Sequence, residues 1–598
     1  MFRTHQRSDF RGGITVCGIF GYVGGKSAAK EIVQGLQALT YRGYDSAGVA
    51  VQNDYGTQIK KGVGAISEIA GVASLRGKVG VGHTRWATHG EVSVNNAHPF
   101  SYGGYTVVHN GIIENYAELK RELTAKGYVF QSQTDSEVIV MLLHFYREYP
   151  LLTALRKTVE RLTGSYAIVA LSDRDKGSIV CTRKNSPLII GLGKEETFIS
   201  SDVPALYGKA YQYTPLNEGD FVWVHMGGIS FYHGETEVFP KLYSVNENAS
   251  CHEKRGYAHF MRKEIGEVPN AVNNTLTLLR GQEIALKRVF SNATRVLLTG
   301  CGTAFHAAVF GKYLLSRALK IPTQAEVASE LRYSGEKVEK SCVCIAITQS
   351  GETADTLRLL QSLKKQGHKK LIVITNTPRS SVTAFADITL LTGAGPEIGV
   401  AATKSFTSQL AAFTFIVQAL SGERGEFITL PKLLTKTLQL ESETKEIARE
   451  LQGQKSVFFL GRDLDYPLAL EGSLKLKEVS YLFSDGYAAG ELKHGTLALI
   501  EKGTPVIVCL TQPRLAEKTL NALHEVSCRG AKVFLITQYE KYSGVLGVEK
   551  CLLLPPSSPH LAPLLLSVPL QFLAYHTAVL MGRNPDRPRN LAKSVTVE

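Results

Sequence analysis

Short apolar runs, each followed by an amphipathic stretch, repeat through the second half of the chain. Wholly apolar strands between amphipathic helices are typical of parallel sheets that helices cover on both faces. Three pairs of runs recur at offsets from 161 (457 minus 296) to 163 (508 minus 345): Val296–Gly300 and Val457–Gly461, Ile345–Gln349 and Val508–Gln512, and Leu371–Thr375 and Val533–Thr537. The pattern predicts two doubly wound parallel-sheet α/β domains that arose by duplication.

Residues 17–240 follow another pattern, in which short β runs alternate with glycine clusters. Two amphipathic stretches, Ala28–Leu39 and Ser136–Tyr146, carry apolar residues at helical spacing and predict helices. The β runs include Val79–His83, Tyr105–His109 and Tyr166–Leu171. Together these elements predict a layered α/β sandwich.

Composition narrows the possible functions only modestly. The chain has 598 residues, of which 44% are hydrophobic and 20% charged, and its formal net charge is +13. The basic residues are dispersed, so we expect affinity for anionic small molecules and no nucleic-acid binding. No apolar run reaches 18 residues, which predicts no membrane span. Nine cysteines without a Cys-x-x-Cys pair predict reduced thiols and a cytoplasmic location.

The segment Cys-Gly-Ile-Phe-Gly, which begins at Cys17, carries the first candidate chemistry. A cysteine at the start of a chain supplies nucleophile and base together, because its α-amino group has a pKa near ~8 and can accept the thiol proton. Sixteen residues precede Cys17, and an acylated amine cannot act as a base. We therefore expect the working protein to begin at Cys17, either because residues 1–16 are removed or, as we favour, because translation starts at Val16.

Four further residues would complete a site for amide hydrolysis. Asn110 and Gly111 follow an apolar strand, where a side-chain amide and a backbone N–H can form an oxyanion hole; one such donor contributes roughly 3 kcal/mol. Arg85 can bind a carboxylate and Asp135 an ammonium group, the two charged groups that a free amino-acid amide carries. Each residue alone is more commonly part of a turn, a surface charge or core. Their order after Cys17 favours the catalytic interpretation.

The motifs that carry these residues resemble the glutaminase half of an N-terminal-nucleophile amidotransferase, with its α/β/β/α sandwich. The resemblance implies that Trp86 lines or gates a route for ammonia. It also implies that Thr88 and His89 shape the glutamine pocket. The motifs are Tyr-Arg-Gly-Tyr-Asp-Ser-Ala-Gly (41–48), His-Thr-Arg-Trp-Ala-Thr-His-Gly (83–90), His-Asn-Gly (109–111) and Thr-Asp-Ser-Glu (134–137).

A second candidate site follows the strand Cys344–Ile347. Small hydroxyl residues and glycine at 348–353 lead into a predicted helix, Ala354–Gln366, and such a turn binds anions through backbone N–H groups and the helix dipole. Gly300-Cys-Gly-Thr303 repeats the arrangement. The turn lacks the Gly-Lys-Ser/Thr ending of a nucleotide P-loop, which favours a monophosphate. The alternative is a capped helix without a ligand.

This half of the chain resembles the sugar-isomerase fold family. Residues 17–598 as a whole resemble the bacterial type of the glutamine–fructose-6-phosphate aminotransferase (isomerizing) family, which makes glucosamine 6-phosphate and glutamate in the first step of amino-sugar synthesis. The resemblance rests on Gln-Ser-Gly-Glu-Thr-Ala-Asp-Thr (349–356), Glu-Ile-Gly-Val (397–400), Leu-Lys-Leu-Lys-Glu (474–478), Gly-Glu-Leu-Lys-His-Gly (490–495) and Arg-Asn-Leu-Ala-Lys-Ser-Val-Thr-Val-Glu (589–598).

The resemblance implies a substrate contact through the backbone of Val400 and a phosphate site for fructose 6-phosphate. Ala304 and Ala402 stand where the family commonly has serine, which removes two donors, whereas Thr348 keeps the hydroxyl of the serine that it replaces. The implied phosphate ligands are Thr303, Thr348, Gln349, Ser350 and Thr353.

The resemblance also implies the residues that act on the sugar. Lys593 would form a Schiff base with the C2 carbonyl, and His494, reaching from a second subunit, would open the ring. Glu478 would move a proton between C1 and C2. Glu471 and Lys475 lie seven and three positions before Glu478, on the same face of a helix, and would border the sugar.

This chemistry requires no metal or pyridoxal cofactor, and the expected partners are L-glutamine, fructose 6-phosphate and a second copy of the chain. The chain lacks the long insertion of eukaryotic relatives that respond to UDP-N-acetylglucosamine, so strong inhibition of that kind is not expected. The predicted segments are the extension 1–16, the amidotransferase domain 17–240, a linker 241–287, the first sugar-isomerase domain 288–428, a helical connector 429–454, the second sugar-isomerase domain 455–588 and the catalytic tail 589–598.

Two other classes of function remain possible from the residues. Another N-terminal-cysteine amidotransferase, such as a phosphoribosyl amidotransferase or asparagine synthetase, would not need the duplicated phosphate-binding domain. A non-enzymatic sugar-phosphate sensor would not need Cys17, Glu478, His494 and Lys593 together.

Overall fold

The computed structural model describes residues 17–87, 89–245, 254–334, 338–422 and 426–595, except for the side chains of Tyr41 and Glu426. The predicted extension 1–16, Thr88, part of the predicted linker and the last three residues of the tail lie outside the described residues. Contacts divide the chain into two compact units. Of the described residues, unit 1 has 17–245 together with 594 and 595, and unit 2 has 254–593.

The described residues of unit 1 form fifteen strands and four α-helices. The helices are α1 (Ala28–Ala38), α2 (Tyr116–Ala125), α3 (Glu137–Phe145) and α4 (Leu151–Glu160). The strands are β1 (Gly18–Val23), β2 (Ser46–Asn53), β3 (Gly56–Val63), β4 (Val79–Arg85), β5 (Phe100–Tyr102), β6 (Tyr105–Ile113), β7 (Gly164–Ser172), β8 (Ser178–Lys184), β9 (Ile189–Leu192), β10 (Thr197–Ser200), β11 (Gln212–Pro215), β12 (Asp220–His225), β13 (Gly228–His233), β14 (Thr236–Val238) and β15 (Tyr243–Ser244).

Two antiparallel sheets form the centre of unit 1. Their strand orders are β15-β11-β9-β10-β1-β4-β2-β3 and β14-β13-β12-β8-β7-β6-β5. One apolar core, which includes Ile19, Val81, Val108 and Val169, lies between the sheets. The helix α1 packs on the outer face of the first sheet, and α2, α3 and α4 pack on the outer face of the second. This α/β/β/α layering confirms the predicted sandwich.

Unit 2 contains ten strands and twelve helices in its described residues. The strands are β16 (Val296–Gly300), β17 (Thr323–Val327), β18 (Val343–Thr348), β19 (Leu371–Thr375), β20 (Ile388–Leu391), β21 (Ser456–Gly461), β22 (Phe483–Ala488), β23 (Pro505–Leu510), β24 (Lys532–Thr537) and β25 (Val548–Leu553). The helices are α5 (Phe260–Gly266), α6 (Val268–Leu279), α7 (Glu283–Phe290), α8 (Thr303–Leu319), α9 (Ala328–Leu331), α10 (Ala354–Lys365), α11 (Lys404–Ser421), α12 (Leu430–Thr437), α13 (Glu441–Glu450), α14 (Tyr466–Ser480), α15 (Ala516–Ser527) and α16 (Ala562–Leu580).

The strands of unit 2 form two parallel five-stranded sheets with the same topology. Their orders are β17-β16-β18-β19-β20 and β22-β21-β23-β24-β25. The central strands are buried along their whole length, because helices cover both faces of each sheet. The two doubly wound domains predicted from the repeated apolar runs are therefore confirmed.

The structure adds two points about the helices of unit 2. Residues 260–290, within and just after the predicted linker, form α5, α6 and α7, whose apolar sides join the core of this unit. The helix α16 has the length and composition of a membrane span, but 89% of its most apolar window is buried inside the protein. That burial is typical of a core helix.

Candidate active sites

Cys17 lies directly before β1 and is 3% exposed. Its Sγ accepts a hydrogen bond from the Trp86 backbone N–H at 3.3 Å, and its carbonyl oxygen accepts from Arg42 Nε at 3.1 Å and Asn110 Nδ2 at 2.9 Å. Burial raises the pKa of the Cys17 thiol to about 12, although the Trp86 N–H and the Arg85 charge act in the opposite direction. The thiol therefore needs a nearby base before it can act as a nucleophile.

Asn110 and Gly111 lie in β6, and the structure brings Asn110 next to Cys17. The Asn110 amide nitrogen, which donates to the Cys17 carbonyl, also donates to Ser201 Oγ at 2.9 Å. Gly111 has φ of 137°, and a Cβ at this position would lie 2.1 Å from the Ser165 carbonyl oxygen. Glycine is therefore required at 111, where β6 runs close against β7.

Arg85 and Asp135 are both buried in unit 1, where their side chains bind backbone groups. The Arg85 guanidinium donates to the carbonyl oxygens of His89 and Glu91, which holds the loop after β4 in place. Asp135 accepts a hydrogen bond from the Ile113 backbone N–H at 2.7 Å. Burial lowers the pKa of Arg85, and the nearby Cys17 and Asp135 act in the opposite direction. The predicted glutamine ligands thus lie within electrostatic reach of each other.

Two of the three residues predicted around the glutamine pocket are described. The Trp86 ring meets the Tyr44 ring edge-on, with 5.8 Å between centroids, and the His89 ring packs against Tyr116 at 5.8 Å. His89 Nδ1 is buried and has no hydrogen-bond partner among the described residues. Thr88 lies outside the described residues.

Sequence reasoning missed several residues that shape the Cys17 site. Ser201 Oγ accepts from the Ile19 backbone N–H at 2.8 Å as well as from Asn110, so it ties Asn110 to β1. Asp45 accepts from the Ala87 backbone N–H at 2.9 Å and so fixes the turn after Arg85. Asp45 lies in a motif noted above, but no local signal singles out Ser201, which is 91 positions from Asn110.

Three buried histidines lie behind Asn110. His83 Nε2 is 3.0 Å from Asn110 Oδ1, and the rings of His83 and His98 are 4.0 Å apart. His109 Nδ1 is 2.8 Å from Ser136 Oγ. Burial lowers the pKa of His83 to about 3 and lowers that of His109 as well. These side chains are therefore neutral at physiological pH.

The predicted phosphate turns lie side by side in unit 2, because β16 pairs in parallel with β18. In the turn after β18, the hydroxyls of Thr348 and Thr353 are 2.8 Å apart, and the Ser350 hydroxyl accepts from the Glu352 backbone N–H at 3.1 Å. Gln349 and Ser350 are half-buried. Gly351 has φ of 71°, and a Cβ there would lie 1.8 Å from Ser380 Oγ. The sharp turn therefore depends on glycine.

A polar network joins the first turn to the second domain. Thr303 Oγ1 donates to Glu471 Oε1 at 2.9 Å and accepts from Lys475 Nζ at 3.0 Å. Lys475 Nζ also bonds Glu478 Oε2 at 2.5 Å, and His306 Nδ1 lies 2.7 Å from Glu471 Oε2. The structure thus gathers the predicted polar face of α14 around Thr303. Sequence reasoning missed His306.

The charges in this network support one another. Burial would lower the pKa of Lys475, but Glu478 and Glu471 raise it. Burial would raise the pKa of Glu471, but Lys475 and His306 lower it. Glu478 behaves differently, since its burial raises its pKa more than Lys475 lowers it. Glu478 is therefore the carboxylate of this group best suited to bind and release a proton.

Lys593, in the tail, forms an ion pair with Glu397, a residue that sequence reasoning did not assign. Glu397 is held by the Thr403 backbone N–H at 2.9 Å and the Ser405 hydroxyl at 2.6 Å. Burial would raise the pKa of Glu397, but Lys593 and these donors lower it to about 2. The Lys593 charge also acts on Glu478, so the two lie within electrostatic reach.

A second buried carboxylate fixes the loop that contains Glu397. Glu264, in α5, accepts hydrogen bonds from the backbone N–H groups of Ile398 and Gly399. Burial and the Glu397 charge raise the pKa of Glu264 to about 7. The next residue, Val400, is buried, and its N–H donates to the Asp586 carbonyl oxygen at 3.4 Å.

His494 and the two alanines stand apart from these networks. His494 is the last residue of the short turn Glu491–His494, and its side chain is exposed. Ala304 lies in the first turn of α8 and is buried, and Ala402 is half-buried. The described chain therefore brings Lys593, Glu478 and the phosphate turns into one unit but leaves His494 on the surface.

Comparisons with known proteins agree with this architecture. Residues 83–208 match the glutamine amidotransferase domain family, and residues 289–419 and 450–581 each match the SIS domain family. Over 609 aligned residues the chain is 42% identical to the glutamine–fructose-6-phosphate aminotransferase (isomerizing) of Clostridium tetani, with 98% of this chain and 100% of that protein covered.

An archaeal relative and a solved structure extend the comparison. The protein of the same name from Pyrococcus horikoshii is 42% identical over 604 residues, with 98% of this chain and 100% of that protein covered. The C-terminal domain of glucosamine-fructose-6-phosphate aminotransferase from Francisella tularensis matches with a TM-score of 0.53 and 37% identity, covering 56% of this chain and 99% of that one.

Proposed function

Because the chain belongs to the glutamine–fructose-6-phosphate aminotransferase (isomerizing) family, we propose that Cys17 and Lys593 are its two covalent centres. The enzyme transfers the amide nitrogen of glutamine to fructose 6-phosphate and isomerises the product to glucosamine 6-phosphate, with glutamate as the second product.

In unit 1, Cys17 Sγ attacks the side-chain carbonyl of glutamine, and a free Cys17 α-amino group takes the thiol proton. This base is needed because burial raises the pKa of the thiol to about 12. The tetrahedral oxyanion accepts hydrogen bonds from the Gly111 N–H and from the Asn110 amide, which exchanges one of its two acceptors, the Cys17 carbonyl or Ser201 Oγ, for the oxyanion. Ammonia leaves, and water hydrolyses the thioester to release glutamate. Arg85 and Asp135 pair with the α-carboxylate and α-ammonium of glutamine, and Trp86, Thr88 and His89 border it.

The role of the amine can be tested directly. A protein made to begin at Cys17 should hydrolyse glutamine, whereas the same chain with residues 1–16 retained should release no glutamate, because its Cys17 nitrogen is acylated. The measurement is glutamate release combined with the intact mass of each protein. Equal rates for the two proteins, with the extension still attached by mass, would contradict the α-amino group as the base.

In unit 2, the turns around Thr303 and Thr348–Thr353 bind the phosphate of fructose 6-phosphate, and Gln349 and Ser350 are among its ligands. Lys593 Nζ attacks C2 of the open-chain sugar, water leaves, and a Schiff base forms. Ammonia then displaces Lys593 to give the imine of the sugar. The ion pair with Glu397 positions the Lys593 side chain. An amine attacks a carbonyl only in its neutral form, so a proton leaves Lys593 before it attacks.

Glu478 then takes a proton from C1 and returns it to C2, which converts the fructosimine to glucosamine 6-phosphate. Its raised pKa suits this exchange, and Lys475 fixes its carboxylate at 2.5 Å. Glu471 and Lys475 border the sugar, and Val400 contacts it through the backbone. The observation that carries this half of the proposal is the joint placement of Glu478 and Lys593 within electrostatic reach, 115 positions apart (593 minus 478).

Borohydride trapping tests the Schiff base. Incubation with fructose 6-phosphate and sodium borohydride should add one reduced hexose phosphate to the peptide that contains Lys593, as measured by mass spectrometry of the digest. Lys593→Arg should remove the adduct, and Lys541→Arg, at an ordinary lysine, should keep it. An adduct on Lys475 in the unsubstituted enzyme would contradict the assignment.

We further propose that the enzyme is a cytoplasmic homodimer in which each subunit lends His494 to its partner. The exposed position of His494 supports this arrangement. His494→Ala and Lys593→Ala proteins should each be inactive in synthesis. When they are unfolded and refolded together, about one quarter of the sites should recover, because a random mixture gives half hybrid dimers with one intact site each. No recovery in dimers verified by sedimentation would contradict the shared site.

A further inference from the structure

The two domains of unit 2 meet through a pair of antiparallel helices, α8 and α14. Thr303, at the start of α8, bonds Glu471 and Lys475 in the middle of α14. At the other end, Arg317 near the end of α8 pairs with Asp463, which directly precedes α14. The start of α8 therefore contacts the middle of α14, and the segment before α14 contacts the end of α8.

This arrangement gives the second domain a counterpart of the sugar-phosphate site. In parallel α/β sheets of this strand order, ligands bind where the first and third strands diverge, at the carboxyl ends of the strands. In the first domain that place lies after β16 and β18, where the phosphate turns are. In the second domain it lies after β21 and β23, at residues 462–465 and 511–515.

A cavity of about 550 Å³ lies at this second place. Its volume is within the range of small-molecule sites, roughly 300–1,000 Å³. The turns after β21 and β23 contribute Arg462, Asp463, Arg514 and Leu515 to the wall, and α8 contributes Lys312, Tyr313, Ser316 and Arg317. The cavity therefore has the same construction as the first site: two strand-end turns and the helix of the other domain.

The charge of the lining indicates an anionic ligand. Four cationic side chains, those of Lys312, Arg317, Arg462 and Arg514, face one lining carboxylate, that of Asp463. Asp463 pairs with Arg317 and lies 3.5 Å from Arg514. Arg462 Nε is buried and has no hydrogen-bond partner among the described residues. The lining thus carries more positive charge than its one carboxylate can neutralise.

A side-chain carboxylate already occupies a backbone N–H group of the turn after β23. Asp465 accepts hydrogen bonds from the Thr511 backbone N–H at 2.7 Å and from the Thr511 hydroxyl. Pro513 in the same turn has no N–H to donate. A ligand in the second domain would therefore be bound by guanidinium and ammonium groups at the cavity rather than by the backbone N–H groups of the turn.

We propose that this cavity is a second binding site for a phosphate monoester of about the size of a hexose phosphate. Arg462 and Arg514 bind the phosphate, Lys312 adds a third positive charge, and Tyr313 and Tyr466 border the organic part. The proposal does not depend on the roles given to Cys17, Glu478 or Lys593. The first domain then holds the catalytic sugar-phosphate site, and the second domain holds a site that only binds its ligand.

Equilibrium dialysis of the full-length enzyme with fructose 6-phosphate tests the proposal by stoichiometry. The unsubstituted enzyme should bind two molecules per chain, and Ser350→Asp, which places a carboxylate in the first-domain turn, should bind one. Adding Arg462→Gln and Arg514→Gln to Ser350→Asp should weaken the remaining site at least about tenfold, because two charge-assisted contacts are lost. Lys518→Gln with Arg529→Gln, a matched loss of two charges outside the cavity, should not.

Each result decides a separate point. Unchanged binding after Arg462→Gln and Arg514→Gln in the Ser350→Asp protein would overturn the cavity site. Two molecules bound by Ser350→Asp would instead contradict the first-domain assignment. Inorganic phosphate that binds at the cavity while fructose 6-phosphate and glucosamine 6-phosphate do not would overturn an organic monoester as the ligand. If the double substitution alters the thermal unfolding of unit 2, Lys312→Gln alone should still weaken binding, and unchanged binding by it would overturn the proposal.

Discussion

Cys17 and Lys593 both lie in buried surroundings, yet their neighbours differ in charge. At the Cys17 site, the charges of Arg85 and Arg42 oppose burial but do not outweigh it, so burial still raises the pKa of Cys17. Burial likewise lowers the pKa values of His83 and His109, and these groups stay neutral. At the Lys593 site, Glu397 is equally buried but ionised, because an ammonium and several donors face it.

The contrast between the Cys17 and Lys593 sites shows that burial alone does not decide the charge of a catalytic group. Where nearby opposite charges are too weak to offset desolvation, as at Cys17, the buried group stays neutral until a base or substrate arrives. Where opposite charges and hydrogen bonds converge, they offset desolvation, and removing one partner leaves an uncompensated charge. The first kind of site therefore tolerates neutral substitutions better than the second.

The largest expected effect separates the two centres completely. Cys17→Ala should lower glutamine hydrolysis by about 10³-fold or more, since it removes the nucleophile. Isomerisation of fructose 6-phosphate in unit 2 should remain measurable. Glutamate release and sugar-phosphate isomerisation, assayed on the same preparation, give the two rates. Cys181→Ala, at another buried cysteine of unit 1, is the matched control, and loss of both activities in Cys17→Ala would contradict independent centres.

The reciprocal change should give the reciprocal result. Lys593→Ala should abolish synthesis of glucosamine 6-phosphate, by about 10³-fold or more, because the Schiff base cannot form. Some glutamine hydrolysis should persist, since Cys17 and its donors are untouched. The measurement is product formation against glutamate release. Complete loss of both would indicate that the tail is needed for folding instead.

A smaller effect tests the ion pair itself. Glu397→Gln leaves the Lys593 ammonium buried without its partner, and breaking a buried pair in this way costs about 3–5 kcal/mol. Synthesis should fall while glutamine hydrolysis stays unchanged. Glu446→Gln, at the exposed pair with Lys550, should cost at most about 1 kcal/mol. Urea unfolding followed by hydrogen exchange in unit 2 measures both, and equal losses would contradict the contrast.

The smallest effect is a difference in acid stability between the units. The folded pKa of His83, about 3, lies below its ordinary 6.5, so its contribution is present above pH 6.5 and is lost progressively as the pH falls toward 3. Glu264 has a raised pKa, about 7 against 4.5, so its contribution is full below pH 4.5 and is lost as the pH rises through 7. Acid should therefore weaken unit 1 first.

Both tryptophans, Trp86 and Trp223, lie in unit 1, so tryptophan fluorescence reports its acid unfolding alone. Hydrogen exchange of peptides from unit 2 reports the other unit. The fluorescence transition should come at the higher pH, and coincident transitions would contradict the prediction. His83→Asn, which removes a group that must be protonated in acid, should bring the unit 1 transition to lower pH if it preserves the fold.

The apolar runs determined much of the fold, because a strand buried on both faces needs an unbroken apolar segment wherever it occurs. They predicted β16, β19 and their duplicates to within a residue. The run Val508–Gln512 placed β23 too late by two to three residues, because Thr511 and Gln512 belong to the turn that binds Asp465. Apolar periodicity carries no information about such a turn.

The motifs named Cys17, Asn110, Glu478 and Lys593, since each stands in a distinctive local sequence. Only the tertiary structure paired Lys593 with Glu397, 196 positions away, placed Ser201 behind Asn110, and set Arg462 in a cationic cavity opposite α8. These partners come from distant strand ends and helices that the fold brings together. Because a pKa depends on such neighbours and on burial, the sequence determined which groups are present, and the fold decided which of them are charged.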